Sequence, residues 1–135
     1  MKTKIIYATM TKHSKKIAEA ISKELNVPAE NVKSNPATGE LDLLFIVGGI
    51  YGGESLPEML TFVKGLNNKV KKAVLVTTCA SKKNGQNSVR QLLKERGIEV
   101  VDEFIGRGGF LFMHLGHPNK NEIQDAVDFA KKQIR

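Results

Sequence analysis

Thr9, Thr11 and Ser14 place three hydroxyls within six residues, and Lys12, Lys15 and Lys16 lie among and just after them. Hydroxyl and ammonium groups at that density suit an anion. The flanking residues say how one would be held. Ile5-Ile6-Tyr7-Ala8 is an apolar run, whereas Ile17, Ala18, Ile21 and Leu25 recur at helical spacing, so a strand passes through a hydroxyl-rich turn directly into a helix running from about Ser14 to Leu25. The first turn of a helix carries backbone N–H groups without intrahelical partners and a partial positive charge, both directed at such a turn. That is the architecture of a phosphate site. Capping the helix would take one hydroxyl, and three exceed that need.

Other chemistries find less support. No G-x-x-x-x-G-K-[ST] occurs, and neither Gly48-Gly49-Ile50-Tyr51-Gly52-Gly53 nor Gly106-Arg107-Gly108-Gly109 fits G-x-G-x-x-G, which argues against P-loop NTPases and dinucleotide-binding enzymes. Cys79 has no histidine near it in sequence and reads as a small residue at a strand end. His114 and His117 lack a nearby thiol or carboxylate, so they are not expected to ligate zinc, and no metal is expected. Tyr51, between two glycine pairs, leaves room for contact with a flat ligand.

These residues must be positioned by a single core. A chain of 135 residues with 41% apolar content supports one domain, residues 1–135. One cysteine excludes an internal disulfide, and there is no apolar run of membrane-spanning length and no signal or targeting extension, so a cytoplasmic location is expected. The net charge of +7 predicts attraction to anions.

Strand-like and helix-like segments alternate along the chain. A short polar edge strand is expected around Asn31 to Lys33, and Leu43 to Val47 is a continuous apolar run, which marks a strand buried on both faces. Ser55 with Glu58 fits a capping box, with Pro57 in the first turn of a helix that carries Met59, Leu60, Val63 and Leu66. Ala73 to Val76 forms the next buried strand, and a helix with Val89, Leu92 and Leu93 stops at Gly97 as a left-handed cap. Ile98 to Ile105 reads as the last strand, followed by a helix whose stripe is Ile123, Ala126, Val127, Ala130 and Ile134. Such alternation implies an α/β three-layer sandwich, a central parallel sheet with helices on both faces. Ligands then bind beyond the carboxyl ends of the strands. The loops that matter are Thr9 to Ser14, Gly48 to Ser55 and Thr77 to Gln86.

At these loops the sequence resembles the flavodoxin-like family over nearly its whole length. Thr9-Met10-Thr11-Lys12-His13-Ser14 is similar to the family's phosphate loop, T/S-x-T-G-x-T/S; Gly49-Ile50-Tyr51-Gly52-Gly53 is similar to its second loop; Thr77-Thr78-Cys79-Ala80-Ser81 through Gly85-Gln86 is similar to its third. The resemblance implies a five-stranded sheet in the order 2-1-3-4-5 and FMN as cofactor. It implies further that Thr9, Thr11, His13 and Ser14 hold the phosphate, that Tyr51 lies near the isoalloxazine, and that Thr78, Cys79, Ala80 and Gly85 offer the ring backbone hydrogen bonds. Two departures stand out: Lys12 replaces the loop glycine, and the chain is basic where flavodoxins that shuttle electrons are typically acidic. Tyr51 is also the only aromatic residue of the three loops, so they cannot sandwich a ring between two aromatics.

The resulting expectation is an FMN-dependent electron carrier, with a redox partner protein or a small-molecule acceptor, as a monomer or weak homodimer. No acid, base or nucleophile is required. One alternative is a small NAD(P)H-dependent flavin or quinone reductase, although no separate nicotinamide-binding element is visible. Another is a polyanion-binding domain, which calls for clustered basic residues with stacking aromatics; the lysines are dispersed in sequence and 6% of residues are aromatic, so specific nucleic-acid binding is not expected. Gly106 to Leu115 mixes glycines with apolar residues that could cover the cofactor edge, a subunit interface or the last helix.

Overall fold

The computed structural model describes residues 1–8, 12–51, 54–67, 69–78, 86–106 and 120–134. In chain order the elements are β1 (Thr3–Ala8), α1 (His13–Leu25), β2 (Ala29–Asn31), a 3₁₀ turn (Val32–Ser34), β3 (Leu41–Tyr51), β4 (Glu54–Ser55), α2 (Pro57–Lys64), β5 (Val70–Thr78), α3 (Asn87–Glu95), β6 (Glu99–Ile105) and α4 (Lys120–Gln133). Side chains on a strand alternate between the faces of a sheet, and here the alternation divides the apolar residues between two cores. Ile5, Tyr7, Phe45, Val47, Val74 and Val76 pack under α1 and α4, against Ile17, Ala18, Ile21, Ala126, Val127 and Ala130. Ile6, Ala8, Leu44, Ile46, Ala73 and Leu75 pack under α2 and α3, against Met59, Val63, Val89 and Leu93. Buried on both faces, the middles of β3 (Leu43–Val47) and β5 (Ala73–Val76) carry no polar residue, which is why they read as unbroken apolar runs.

The sheet order is β2-β1-β3-β5-β6, with every neighbouring pair parallel. Counting only these five strands, it is the expected 2-1-3-4-5. The addition is β4, two residues that pair antiparallel with the end of β3.

Several local expectations change. The central strand does not end at Gly48-Gly49 but continues to Tyr51, so Gly49, Ile50 and Tyr51 are strand residues rather than loop residues. Glycine weakens a strand, yet Gly48 is paired with Ala8 on one side and Thr77 on the other, and Ile50 and Tyr51 are then held by Ser55 and Glu54. Ser55 is therefore a buried strand residue and not a helix cap; Leu56 occupies the cap position of α2, with Pro57 first in the helix and no side-chain cap bond. The edge strand lies at Ala29–Asn31, and the Asn31 side chain accepts from the Lys33 N–H to start the 3₁₀ turn. Gly97 takes φ +73° after α3, the left-handed conformation its position calls for.

Candidate functional site

Register brings the ends of the three inner strands abreast. Ala8, Gly48 and Thr77 stand side by side on β1, β3 and β5, and Gly49 pairs with Thr78. Adjacent strands lie roughly 4.8 Å apart, so the segments that leave β1 and β5 begin within about 10 Å of each other, on either side of β3. The three stretches singled out by sequence therefore leave the sheet from neighbouring strand ends at one edge.

At that edge α1 begins with Lys12 at φ 71°, ψ 0°, a left-handed conformation that non-glycine residues rarely adopt. The Lys16 N–H donates to the Lys12 carbonyl at 3.0 Å, closing the first helical bond. The Ser14 and Lys15 amides precede it, and no described group accepts from them. Lys12 supplies no side-chain cap, and the first turn contains no acidic residue. A helix start whose Ser14 and Lys15 amides meet no described acceptor, and whose first turn holds no acidic residue, fits an external anion.

Ser14 joins this turn to the end of β5. Its hydroxyl lies 2.9 Å from that of Thr78, and both are buried. A hydroxyl can donate once and accept twice, so each retains capacity beyond this bond.

Beside Thr78 lies a polar network. The fully buried Gln86 side chain donates through Nε2 to the carbonyls of Ile46 and Val76, both at 3.2 Å, and to the Thr77 hydroxyl at 3.3 Å. Its Oε1 has no hydrogen-bond partner among the described residues and faces Gly48, where an added Cβ would stand 3.1 Å away. The glycine at position 48 thus makes room for Gln86. Glu103 accepts from the Gln86 N–H and the Thr77 hydroxyl, both at 3.1 Å, and is paired with Arg90 of α3. Across β3, the Ser88 hydroxyl donates to Glu54 at 2.8 Å, tying the start of α3 to β4.

Of the residues expected at the site, Lys12, His13 and Ser14 stand at the start of α1, Gly49, Ile50 and Tyr51 at the end of β3, and Thr78 at the end of β5. Ser14 and Thr78 are in direct contact. Thr9, Met10, Thr11, Gly52, Gly53, Cys79, Ala80 and Gly85 lie outside the described residues, as do His114, His117 and residues 107–119 of the glycine-rich apolar segment. Sequence reading gave Thr77 and Gln86 no role of their own and did not single out Glu103. Thr77 and Gln86 bound the third loop, but nothing in Glu99 to Ile105 distinguishes Glu103 from a solvated strand residue.

Comparison with known proteins gives a consistent result. The flavodoxin domain family matches residues 4–133. Among solved structures, a short-chain flavodoxin associated with a PDU bacterial microcompartment is 18% identical with a TM-score of 0.69, covering 97% of this chain and 95% of that one. Oxidised flavodoxin 2 from Bacillus cereus is 19% identical with a TM-score of 0.68, covering 96% and 95%. Rubredoxin oxygen:oxidoreductase from Desulfovibrio gigas is similar over 96% of this chain but 34% of its own, at 12% identity and a TM-score of 0.69. No curated protein matches the sequence.

Proposed function

The chain belongs to the flavodoxin domain family, and on that footing we propose that it binds FMN at the carboxyl edge of the sheet and passes electrons to and from a redox partner. The observation that carries this reading is the start of α1, where amides with no acceptor among the described residues, a left-handed Lys12 and a first turn without acidic residues meet the end of β5 through the Ser14–Thr78 bond. The donor set suits a phosphate: the Ser14 and Lys15 amides, the Lys12 ammonium, and the hydroxyls of Thr9 and Thr11 in the preceding residues. Lys12 stands where the family's loop carries glycine and takes the left-handed conformation that glycine adopts without strain.

Bound FMN would supply the electron chemistry through its isoalloxazine ring, and the protein would supply position and electrostatics. The start of α1 would hold the phosphate. Tyr51 and the backbone of Thr78, Cys79, Ala80 and Gly85 would flank the ring, and the Gln86 network would hold the third segment against β3 and β5. No proton transfer to or from a side chain is needed.

Titration with FMN and riboflavin, followed by flavin fluorescence, tests the reading. FMN should bind one to one, and riboflavin more weakly by about tenfold or more, because it lacks the group whose charge-assisted bonds are worth roughly 1.5–3 kcal/mol each. Equal affinities would refute a phosphate site at α1.

A further inference from the structure

β6 breaks the alternation that a regular strand keeps. Val100 packs with the core under α2 and α3, whereas Phe104, four residues on, packs with the core under α1 and α4. Residues four apart on an unbroken strand share a face. The register gives the reason: Ala73 stands opposite Val100 and Val74 opposite Asp102, so Val101 is an extra residue in the ladder, and its side chain is exposed. Asp102 secures this bulge, accepting from the Glu103 N–H at 2.8 Å and from Gln133 of α4 at 3.1 Å.

A bulge re-aims the side chains that follow it. Without this one, Glu103, three residues after Val100, would face α1 and α4. With it, Glu103 lies opposite Leu75 and turns to the α3 side, where its side chain is 12% exposed. Its Oε2 accepts from the Thr77 hydroxyl and the Gln86 N–H, and its Oε1 is paired with Arg90. The first turn of α3 has no acidic residue and no side-chain cap of its own, so β6 supplies the anion that a helix start favours.

The position of the two donors matters more than their number. Thr77 is one residue before the end of β5, and Gln86 is the residue before α3. A single oxygen therefore joins the point where the chain leaves the sheet to the point where it enters the next helix. Neighbouring residues of a strand point to opposite faces, and the end of β5 is accordingly held from both: Thr78 by Ser14 on the α1 side, Thr77 by Glu103 on the α3 side. The Thr77 carbonyl also accepts from the Gly106 N–H at 2.8 Å, just past the end of β6.

We propose that Glu103 is a positioning residue for the flavin site, fixing the end of β5 and the start of α3 in the relative placement that the bound ring requires. This rests on the reading that FMN binds at the carboxyl edge. Glu103 acts through Thr77 and Gln86, and its reach is what counts, not its charge alone.

Three substitutions separate these effects: Glu103→Ala removes the acceptor, Glu103→Asp keeps the charge but shortens the side chain, and Glu103→Gln keeps the length and an accepting oxygen. Val63→Ala, a truncation in the core near the far end of α2, is the control that loses stability without touching the carboxylate. Amide hydrogen exchange in the flavin-free protein is read at Gly106 and at Arg90, whose N–H donates to the Gln86 carbonyl, relative to Phe45 in the middle of β3. Glu103→Ala and Glu103→Asp should speed exchange at both sites by about tenfold relative to Phe45. Glu103→Gln should stay within about threefold of wild type, and Val63→Ala should leave the ratios unchanged. Unchanged ratios in Glu103→Ala, or an equal rise in Glu103→Gln, would overturn the proposal. Titration with FMN and riboflavin gives the second readout: Glu103→Ala and Glu103→Asp should weaken both by about tenfold, Glu103→Gln and Val63→Ala neither. Undiminished flavin binding by Glu103→Ala would refute the positioning role and leave the cofactor reading intact. A wild-type protein that shows the exchange pattern but binds neither flavin would refute the cofactor and retain Glu103 as the residue that holds this edge.

Discussion

Lys12 carries two opposed effects on one residue. Its φ of 71° strains a side chain with a Cβ, at roughly 1–2 kcal/mol, while its ammonium stands beside a helix start suited to an anion. Lys12→Gly should therefore stabilise the free protein by about 1 kcal/mol, raising Tm by roughly 2–5 °C. FMN affinity should stay within about tenfold of wild type, but its dependence on salt should become shallower, since screening acts on the charge that was removed. Calorimetry and a salt series of FMN titrations check both halves; parallel salt curves would mean that the ammonium points away from the phosphate. The Ser14–Thr78 pair behaves differently because both partners are buried. Ser14→Ala leaves the Thr78 hydroxyl without that partner and should cost about 1–3 kcal/mol. Thr78→Val added to it should recover part of the loss, and urea unfolding of the four proteins in this cycle measures the coupling.

At the scale of the element, α3 is fixed to the sheet through the residue just before it. Gln86 ties the start of the helix to β3 and β5, and Glu103 of β6 completes the tie. The cost to sequence freedom falls on Gly48. A methyl group there would press on Gln86 Oε1 at 3.1 Å, and the amide cannot swing away while its Nε2 is held at three acceptors. Gly48→Ala should destabilise by about 1–3 kcal/mol. In a Gln86→Ala background the same substitution should cost much less, because its obstacle is gone; additive losses in urea unfolding would show that Gln86 is not what excludes the side chain. Gly106 is constrained likewise, since a Cβ there would approach Glu122 Oε2 of α4 to 2.5 Å.

At the scale of the whole molecule, the amino edge of the sheet contributes an acid-sensitive anchor. The Lys2 N–H donates to Asp42 Oδ2 at 2.8 Å, and with the nearby Lys71 ammonium it holds the Asp42 carboxyl below its ordinary value of 3.8, against the opposing effect of desolvation. A carboxylate whose pKa is lowered on folding stabilises the fold above its unfolded value and loses that contribution as pH falls through the folded one. Asp42→Asn should accordingly be less stable than wild type at neutral pH, and the difference should shrink as pH drops below 3.8. Urea unfolding of the two proteins across an acid series checks this; a gap that does not change with pH would assign it to packing. No helix among the described residues is long and apolar enough to cross a membrane.

Sequence by itself determined whatever depends on local periodicity and on unpaired helix termini. The apolar runs Ile5 to Ala8, Leu43 to Val47 and Ala73 to Val76 became the inner strands, the stripes of α1 and α4 became the faces they bury, and Gly97 became a left-handed cap. The start of α1 was legible because its apolar stripe and its unpaired first amides are properties of the helix alone. Tertiary structure decided what depends on partners distant in sequence. Gly48 and Gly49 read as a strand end, but pairing with β1 and β5 carries the strand through to Tyr51. Ser55 reads as a cap, but β4 takes it into a hairpin. Gln86 and Glu103, 17 residues apart, meet because α3 returns the chain to the neighbouring strand.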